Sequence, residues 1–291
     1  MDASTSTKIR IGRTVFSNVL TKQNMINNGS YNSAATLTAG GAGSNETPMA
    51  QYTGAIDTST SEFDSLMGFS IAPPPVSVSS GSYNFPNDPN PYGYLTISNS
   101  PDFSMGTGDF TIEWYQYLQS PNSFPRIFSL GSYSDSITIA VSIEGGLFYL
   151  WINQNPLIGA TVSTVDTWTH FAIVRRSGSI TVYLNGAPIA APITNNTNMV
   201  DTIHNLVIGN ESIPTAEAAF TGYLSNFRIV KGTAVYLSNF TRPSGPLNAI
   251  TGTVLLLSAL NPASITVDSS SSRKPIVNTN VTWSGVSAFT S

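Results

Sequence analysis

Enzymatic cleavage of a glycosidic bond needs two carboxylate groups. One protonates the leaving oxygen and the other attacks the sugar or activates water. Glu113 stands in a strand-like apolar pattern, but neither residue 115 nor residue 117 is a second carboxylate on the same face. We therefore predict no glycosidase pair here and interpret Glu113 as an exposed strand residue.

The other groups that could carry catalysis are two histidines and many serines. His170 and His204 show neither helical pairing nor the spacing of a metal motif. No serine stands in the small-residue elbow that a serine nucleophile on a strand-to-helix turn requires. We predict that the chain is not an enzyme and has no catalytic residue, and we interpret His170 as a structural residue.

Calcium needs no compact motif, because its oxygen ligands come from scattered loop residues. Asp135, Asp166 and Asp201 lie on predicted loops that could meet at one rim. We expect no cofactor, and a calcium ion held by these aspartates is the alternative.

Aromatic faces with a few polar groups are typical of sugar binding, and three aromatic residues have a suitable location. Tyr133, Tyr149 and Trp151 are the candidates. A second interpretation, which we favour from sequence, directs Tyr149 and Trp151 into the core and leaves Tyr133 capping a loop.

The charge of the chain limits its partners. Only 10% of its residues are charged and the net charge is -4, which argues against a surface that wraps nucleic acid. The opening segment nevertheless carries a cluster of four basic residues, Lys8, Arg10, Arg13 and Lys22. We interpret this segment as an arm, solvated or docked on a partner, in preference to a nucleic-acid tail.

The chain has no cysteine, so it can form neither a disulfide nor a thiolate metal site. Its first residues do not read as a secretory signal, and its longest apolar run is too short to span a bilayer. We therefore expect no membrane insertion. The hydrophobic fraction of 41% is enough for a sizeable core.

The elements that must position these residues are short strands. Apolar residues alternate with polar ones and turn residues separate the runs, which is typical of a sandwich or barrel. Phe110, Ile112 and Trp114 should share the core face of one strand. The main strands are predicted at residues 110–117, 137–143, 147–152, 168–176 and 180–184, with further ones at 205–208, 219–230 and 253–260.

Three segments follow from this pattern. Residues 1–75 form an extended N-terminal arm that ends in the stiff spacer of Pro73, Pro74 and Pro75. Residues 76–260 form the sandwich. Residues 261–291 form a tail that either folds back as an added edge strand, which we favour, or supplies a strand to a neighbouring subunit.

Seven short motifs occur along the chain in a fixed order: YLTI (94–97), SPDF (100–103), GTGDFTIEW (106–114), WTHFAIVR (168–175), VYLNG (182–186), IG (208–209) and FTGYLSNFRI (220–229). This order resembles a known family, the laminin G-like, concanavalin A-like lectin module of phage and large DNA virus structural proteins. The resemblance covers about residues 79 to 260. It implies an all-β fold, a concanavalin A-like jelly-roll β-sandwich. Where the family often has two carboxylates, this chain has Ser225 and Asn226, which weakens any polar or metal role there.

The resemblance also implies a function. We expect a non-enzymatic virion structural protein, a minor capsid, decoration or vertex component. Its sandwich and terminal arms would hold neighbouring virion proteins such as the major capsid protein. The alternative is a glycan-binding module of a viral tail fibre or spike that contacts a host polysaccharide. Either function places the chain in the virion, assembled in the host cytoplasm.

Overall fold

The computed structural model describes residues 9–11, 14–16, 80–86, 92–119, 124–162 and 165–289. The chain divides into two units, residues 1–77 and 78–291. In the first unit the described part is a two-stranded antiparallel hairpin, whose first strand contains Arg10. The predicted arm residues Lys8, Arg13 and Lys22 lie outside the described residues.

The described residues form strands and two short 3-10 turns, Pro101–Phe103 and Pro262–Ser264, and contain no α-helix. The strands are β1 (Ile9–Ile11), β2 (Thr14–Phe16), β3 (Ser82–Phe85), β4 (Tyr94–Ile97), β5 (Phe110–Leu118), β6 (Arg126–Gly131), β7 (Ile137–Glu144), β8 (Leu147–Ile152), β9 (Asn155–Thr161), β10 (Thr169–Arg176), β11 (Ser179–Leu184), β12 (Ala187–Pro188), β13 (Ile193–Thr194), β14 (Leu206–Ile208), β15 (Gly222–Lys231), β16 (Thr253–Leu257), β17 (Ile276–Thr279) and β18 (Thr282–Ser284).

Two antiparallel sheets make the sandwich of the second unit. The first sheet has nine strands in the order β12-β11-β10-β5-β15-β3-β18, with β13 paired to β11 and β16 paired to β15. The second sheet has seven strands in the order β17-β4-β14-β6-β7-β8-β9. The predicted all-β jelly-roll sandwich is therefore confirmed.

The core lies between the two sheets, and aromatic side chains from both sheets meet there. Phe110, Ile112 and Trp114 are at most 1% exposed, which confirms the predicted inward face of β5. Trp114 stacks on Phe171 at a centroid distance of 5.4 Å and meets Phe128 of the second sheet edge-on at 5.8 Å. Their burial removes large apolar surfaces from water, which drives the two sheets together.

The tail returns to the sandwich of its own chain. Strand β17 pairs with β4 at the edge of the second sheet, and β18 pairs with β3 at the edge of the first. Backbone N–H and C=O groups of β3 and β4 thus form hydrogen bonds with residues 276–284. Without this pairing they would be left unpaired along both edges.

Candidate functional site

The outer face of the second sheet, turned away from the core, carries two large aromatic side chains. In β8 the residues Phe148, Leu150 and Ile152 are at most 2% exposed and point inward. Tyr149 and Trp151 alternate with them, so they stand on the outer face and are half-buried. The interpretation that placed Tyr149 and Trp151 in the core is therefore wrong.

Arg126, the first residue of β6, lies beneath this aromatic face. It is 2% exposed, and its guanidinium carbon stands 5.1 Å from the centre of the Trp151 ring. Its Nε and Nη1 atoms meet no hydrogen-bond partner in the described part of the chain. The nearest carboxylate oxygen, Oε1 of Glu144, is 3.6 Å from Nη1, which is beyond hydrogen-bond range.

Burial dominates the electrostatics of Arg126. It disfavours the charged form and lowers the pKa of the guanidinium, while Glu144 and Glu211 act in the opposite direction. An arginine still carries its charge at neutral pH, because its ordinary pKa is so high. The result is a buried cation with two donor atoms, Nε and Nη1, that have no hydrogen-bond partner among the described residues.

A chain of hydrogen bonds fixes the polar wall of the site. The indole Nε1 of Trp151 donates to Ser142 Oγ at 3.0 Å, and that hydroxyl donates to Glu144 Oε1 at 2.6 Å. Glu144 ends β7, and the hairpin then turns through Gly145 and Gly146, both at positive φ. The tight turn places Glu144 beside the ring of Trp151, with 29% of its side chain exposed.

Tyr133 closes the site from the loop between β6 and β7, residues 132–136, named here the Tyr133 loop. It is 67% exposed and meets Trp151 edge-on at 6.2 Å. Its backbone N–H donates to Glu211 Oε2 at 3.0 Å. The loop starts at Gly131, whose φ is +104° and where a Cβ would stand 1.7 Å from the Ser136 carbonyl oxygen. Only glycine allows this entry into the loop.

These residues enclose a cleft of about 340 Å³, named here the Trp151 cleft and lined by Phe124, Arg126, Tyr133, Glu144 and Trp151. Tyr149 lies beside it, 6.2 Å from Trp151 between ring centres. The structure therefore brings together all three aromatic candidates from the sequence. Arg126 and Glu144 were missed, although an arginine that opens an apolar strand is a signal that could have found the first.

The aspartates considered for calcium do not form one site. His204 links two of them, with Nε2 2.8 Å from Asp135 Oδ2 and Nδ1 2.8 Å from Asp201 Oδ2. Asp166 stands elsewhere, where its N–H donates to the Leu118 carbonyl of the first sheet. Within the described ranges no group of three His, Cys, Asp or Glu side chains is arranged to hold a metal ion. The calcium alternative stays a prediction.

His204 has a raised pKa, which gives a prediction of pH dependence. Burial lowers the pKa, but the hydrogen bonds and charges of Asp135 and Asp201 outweigh it. A raised folded-state pKa contributes stability that is fully present below the unfolded value of about 6.5 and is lost as pH rises through the folded pKa. We expect the free energy of unfolding to fall above about pH 6.5, and this fall to disappear in His204→Gln. Urea unfolding at stepped pH measures it, and the same slope in both proteins would contradict it.

A second polar cluster lies on the outer face of the first sheet. Glu113 is 0% exposed. Its Oε1 accepts from Arg228 Nη2 at 2.5 Å, and its Oε2 accepts from the Tyr236 hydroxyl at 2.8 Å and lies 3.1 Å from His170 Nε2. The expectation that Glu113 is exposed is therefore wrong. The interpretation of His170 as a structural residue agrees with this contact.

Residues 232–247, named here the strap, cover this cluster. Tyr236 and Phe240 of the strap stack at 3.6 Å between ring centres. Burial raises the pKa of Glu113, but the hydrogen bond from His170 and the charge of Arg228 outweigh it and hold the pKa below its usual value. Glu113 is thus a buried anion with fixed partners, and glycoside hydrolysis would need a second carboxylate open to substrate.

Ser225 and Asn226 also serve the fold. The Ser225 hydroxyl donates to the Gly81 carbonyl at 2.9 Å, and Asn226 Oδ1 accepts from the Leu247 N–H at 2.8 Å. Asn226 has a φ of +53° at the irregular point where the pairing of β15 with β5 shifts register. Both side chains join β15 to its neighbours.

Comparison with known proteins identifies the family of the sandwich. The family model described as concanavalin A-like lectin/glucanases superfamily matches residues 89–234, half of the chain. Comparison with curated proteins finds no match. Within the described residues no helix is both long and apolar enough to cross a membrane.

Solved structures of similar fold include a proposed carbohydrate binding protein from Bacteroides ovatus. It has 15% identity and a TM-score of 0.56, over 70% of this chain and 59% of that protein. The SAP-like pentraxin from Limulus polyphemus has 19% identity and a TM-score of 0.43, over 55% of this chain and 80% of that one. The sialidase of Trypanosoma rangeli has 14% identity and a TM-score of 0.35, over 45% and 22%. Because these identities are low, the likeness to the Bacteroides ovatus protein is a likeness of fold.

Proposed function

We propose that this chain, which belongs to the concanavalin A-like lectin/glucanases superfamily, is a non-enzymatic glycan-binding module and binds through the Trp151 cleft. One observation carries the proposal. Arg126 is buried, yet two of its donor atoms point at no protein acceptor in the described part of the chain. Leaving a buried charged donor without a hydrogen bond is costly, and acceptor groups of a ligand would provide one.

The rest of the cleft suits a sugar. A pyranose ring has one apolar face and an edge of hydroxyl groups, so it stacks on an aromatic ring and bonds to polar groups at the rim. Trp151 and Tyr133 provide the aromatic walls, and Glu144 and Arg126 provide an acceptor and a donor. Glu144 is the one carboxylate among the residues that line the described cleft, and glycoside hydrolysis needs a pair, which supports binding without hydrolysis.

A glycan array with the purified full-length chain tests the proposal. We expect selective binding to one class of polysaccharide, with no release of reducing sugar on prolonged incubation. Silence across microbial and animal glycans would overturn the proposal of binding. Turnover of any bound glycan would overturn the non-enzymatic part.

A virion structural role is the second candidate, and the segment ahead of the sandwich favours it. Residues 1–77 are a unit separate from residues 78–291, and they hold four of the chain's 12 Lys and Arg residues, Lys8, Arg10, Arg13 and Lys22. In this proposal the basic segment tethers the sandwich to a capsid neighbour, as blocks of like charge often do in interaction arms. In this proposal the module is displayed on a virion assembled in the host cytoplasm.

Deletion of residues 1–70 separates the two functions. We expect the truncated chain to keep the melting temperature and the glycan binding of the full chain, because the Trp151 cleft lies wholly in residues 124–151. We expect its incorporation into particles to be lost. Differential scanning calorimetry and particle sedimentation measure these effects, and normal incorporation would contradict the tether.

A further inference from the structure

We infer that the Trp151 cleft takes a neutral glycan, rich in hydroxyl groups and free of carboxylate and sulfate. This inference rests on the function proposed above and names its ligand class. It follows from the charges around Arg126, from the single open carboxylate at the rim, and from the fixed position of the indole.

The charges around Arg126 disfavour an anionic ligand. Arg126 is the one cation among the residues that line the described cleft. Glu144 and Glu211 both act on it electrostatically, so one positive charge faces two negative ones. An anionic sugar bound to Arg126 would lie close to Glu144, whose Oε1 is 3.6 Å from Arg126 Nη1, and would lose part of its hydration. Like charges in a partly buried site repel strongly because solvent screens them poorly.

The hydrogen-bonding groups of the cleft also suit a neutral sugar. Arg126 can only donate, and an ionised Glu144 can only accept. A neutral sugar satisfies both, because each hydroxyl group accepts through its oxygen and donates through its hydrogen. A carboxylate or sulfate group only accepts, so it would satisfy Arg126 and leave Glu144 facing another anion.

The fixed position of the Trp151 indole also favours a sugar with a hydroxyl group at its edge. Trp151 is held by its hydrogen bond to Ser142, and Ser142 is held by Glu144, so ring and carboxylate form one rigid unit. A sugar ring that stacks on Trp151 therefore presents its edge at a set distance from Glu144. This arrangement selects for a hydroxyl group at that edge.

A paired panel tests the inference with the full chain. The neutral probes are β-glucan, dextran, mannan and galactan, and the acidic probes are polygalacturonate, alginate, polysialic acid and chondroitin sulfate. We expect binding to at least one neutral polymer, at least tenfold tighter than to any acidic polymer. We expect this affinity to change less than about twofold between 50 and 500 mM salt, since screening acts on charges.

Glu144→Gln is the informative variant, because it removes the charge and keeps an amide oxygen for Ser142. We expect it to weaken neutral binding severalfold and to strengthen acidic binding. Asp166→Asn is the matched control, since it removes one exposed carboxylate next to the first sheet and should change neither affinity.

The outcomes separate this inference from the proposed function. Tight acidic binding that is lost on adding salt would overturn the neutral ligand and leave a glycan-binding cleft. Equal effects of Glu144→Gln and Asp166→Asn would also overturn it. Failure of the wild-type chain to bind any polymer of either set would instead overturn the proposed function.

Discussion

Trp151→Ala is expected to weaken glycan binding about thirtyfold. The indole provides the stacking surface of the cleft, and large aromatic anchors at binding sites typically contribute about 2 kcal/mol. Its loss also removes the ring that lies against the Arg126 guanidinium. Because Trp151 is half-buried on the outer face, we expect little loss of folding stability. Isothermal titration with the polymer found on the array measures the change.

Trp168→Ala is the matched control. Trp168 is also half-buried and lies in an aromatic group of the first sheet, 5.8 Å from Tyr117 between ring centres. We expect it to bind like the wild-type chain. A loss of glycan affinity confined to Trp168→Ala would place the binding site on the first sheet and contradict the account. Equal losses of affinity in both variants would also contradict it, because the Trp151 cleft would then have no special role.

Glu113→Gln is expected to destabilise the fold by about 3–5 kcal/mol, the usual cost of breaking a buried ion pair by removing one partner. The change leaves the Arg228 guanidinium, 5% exposed, without its counter-ion. Tyr236 also donates to Glu113, so the strap should loosen. Urea unfolding measures the free energy of unfolding, and tryptophan fluorescence follows the transition.

The control for Glu113→Gln is Glu217→Gln, because Glu217 is exposed and such surface changes usually stay within about 0.5 kcal/mol. Glycan binding by the folded Glu113→Gln protein should be unchanged, since Glu113 lies on the sheet opposite the Trp151 cleft. A loss below about 1 kcal/mol would contradict the network described for Glu113.

The lowered pKa of Glu113 adds a pH dependence to this network. A depressed folded-state pKa contributes stability that is present above the unfolded value, about 4.3, and is lost as pH falls through the folded pKa. We therefore expect Glu113→Gln and the wild-type chain to approach each other in stability at acid pH.

The core of the sandwich could be predicted from sequence because apolar and polar residues alternate along its strands. Phe110, Ile112 and Trp114 have polar residues between them, so one face of β5 had to be the inner one. Turn chemistry was equally clear. Asn185 and Gly186 both have positive φ between β11 and β12, as a tight hairpin needs.

The orientation of β8 could not be predicted, because both of its faces are apolar. Tyr149 and Trp151 on one face are large and mostly apolar, like Phe148 and Leu150 on the other, so alternation alone does not choose between them. The choice is made by packing, since Phe148 stacks on Phe171 of the opposite sheet at 5.2 Å. The sequence therefore indicated the location of Tyr149 and Trp151 but not the direction of their side chains.

The surroundings of Glu113 and Arg126 depend on contacts far along the chain. The strap that covers Glu113 begins more than a hundred residues after it, and Arg228 comes from another strand. Arg126 meets Glu144 and Trp151 only because β6, β7 and β8 are neighbours in the second sheet. Local pattern carries no information on such pairings, which is why both polar sites emerged only from the fold.

The most direct test of glycan binding at the Trp151 cleft is to follow the four tryptophan indole N–H resonances by NMR during titration with an oligosaccharide of the bound polymer. Substitution by phenylalanine, one residue at a time, assigns them to Trp114, Trp151, Trp168 and Trp283. We expect the Trp151 resonance to shift and saturate while the other three stay in place, because Trp114 is buried in the core and Trp168 and Trp283 belong to the first sheet. A saturating shift of Trp168 with an unmoved Trp151 would contradict the account.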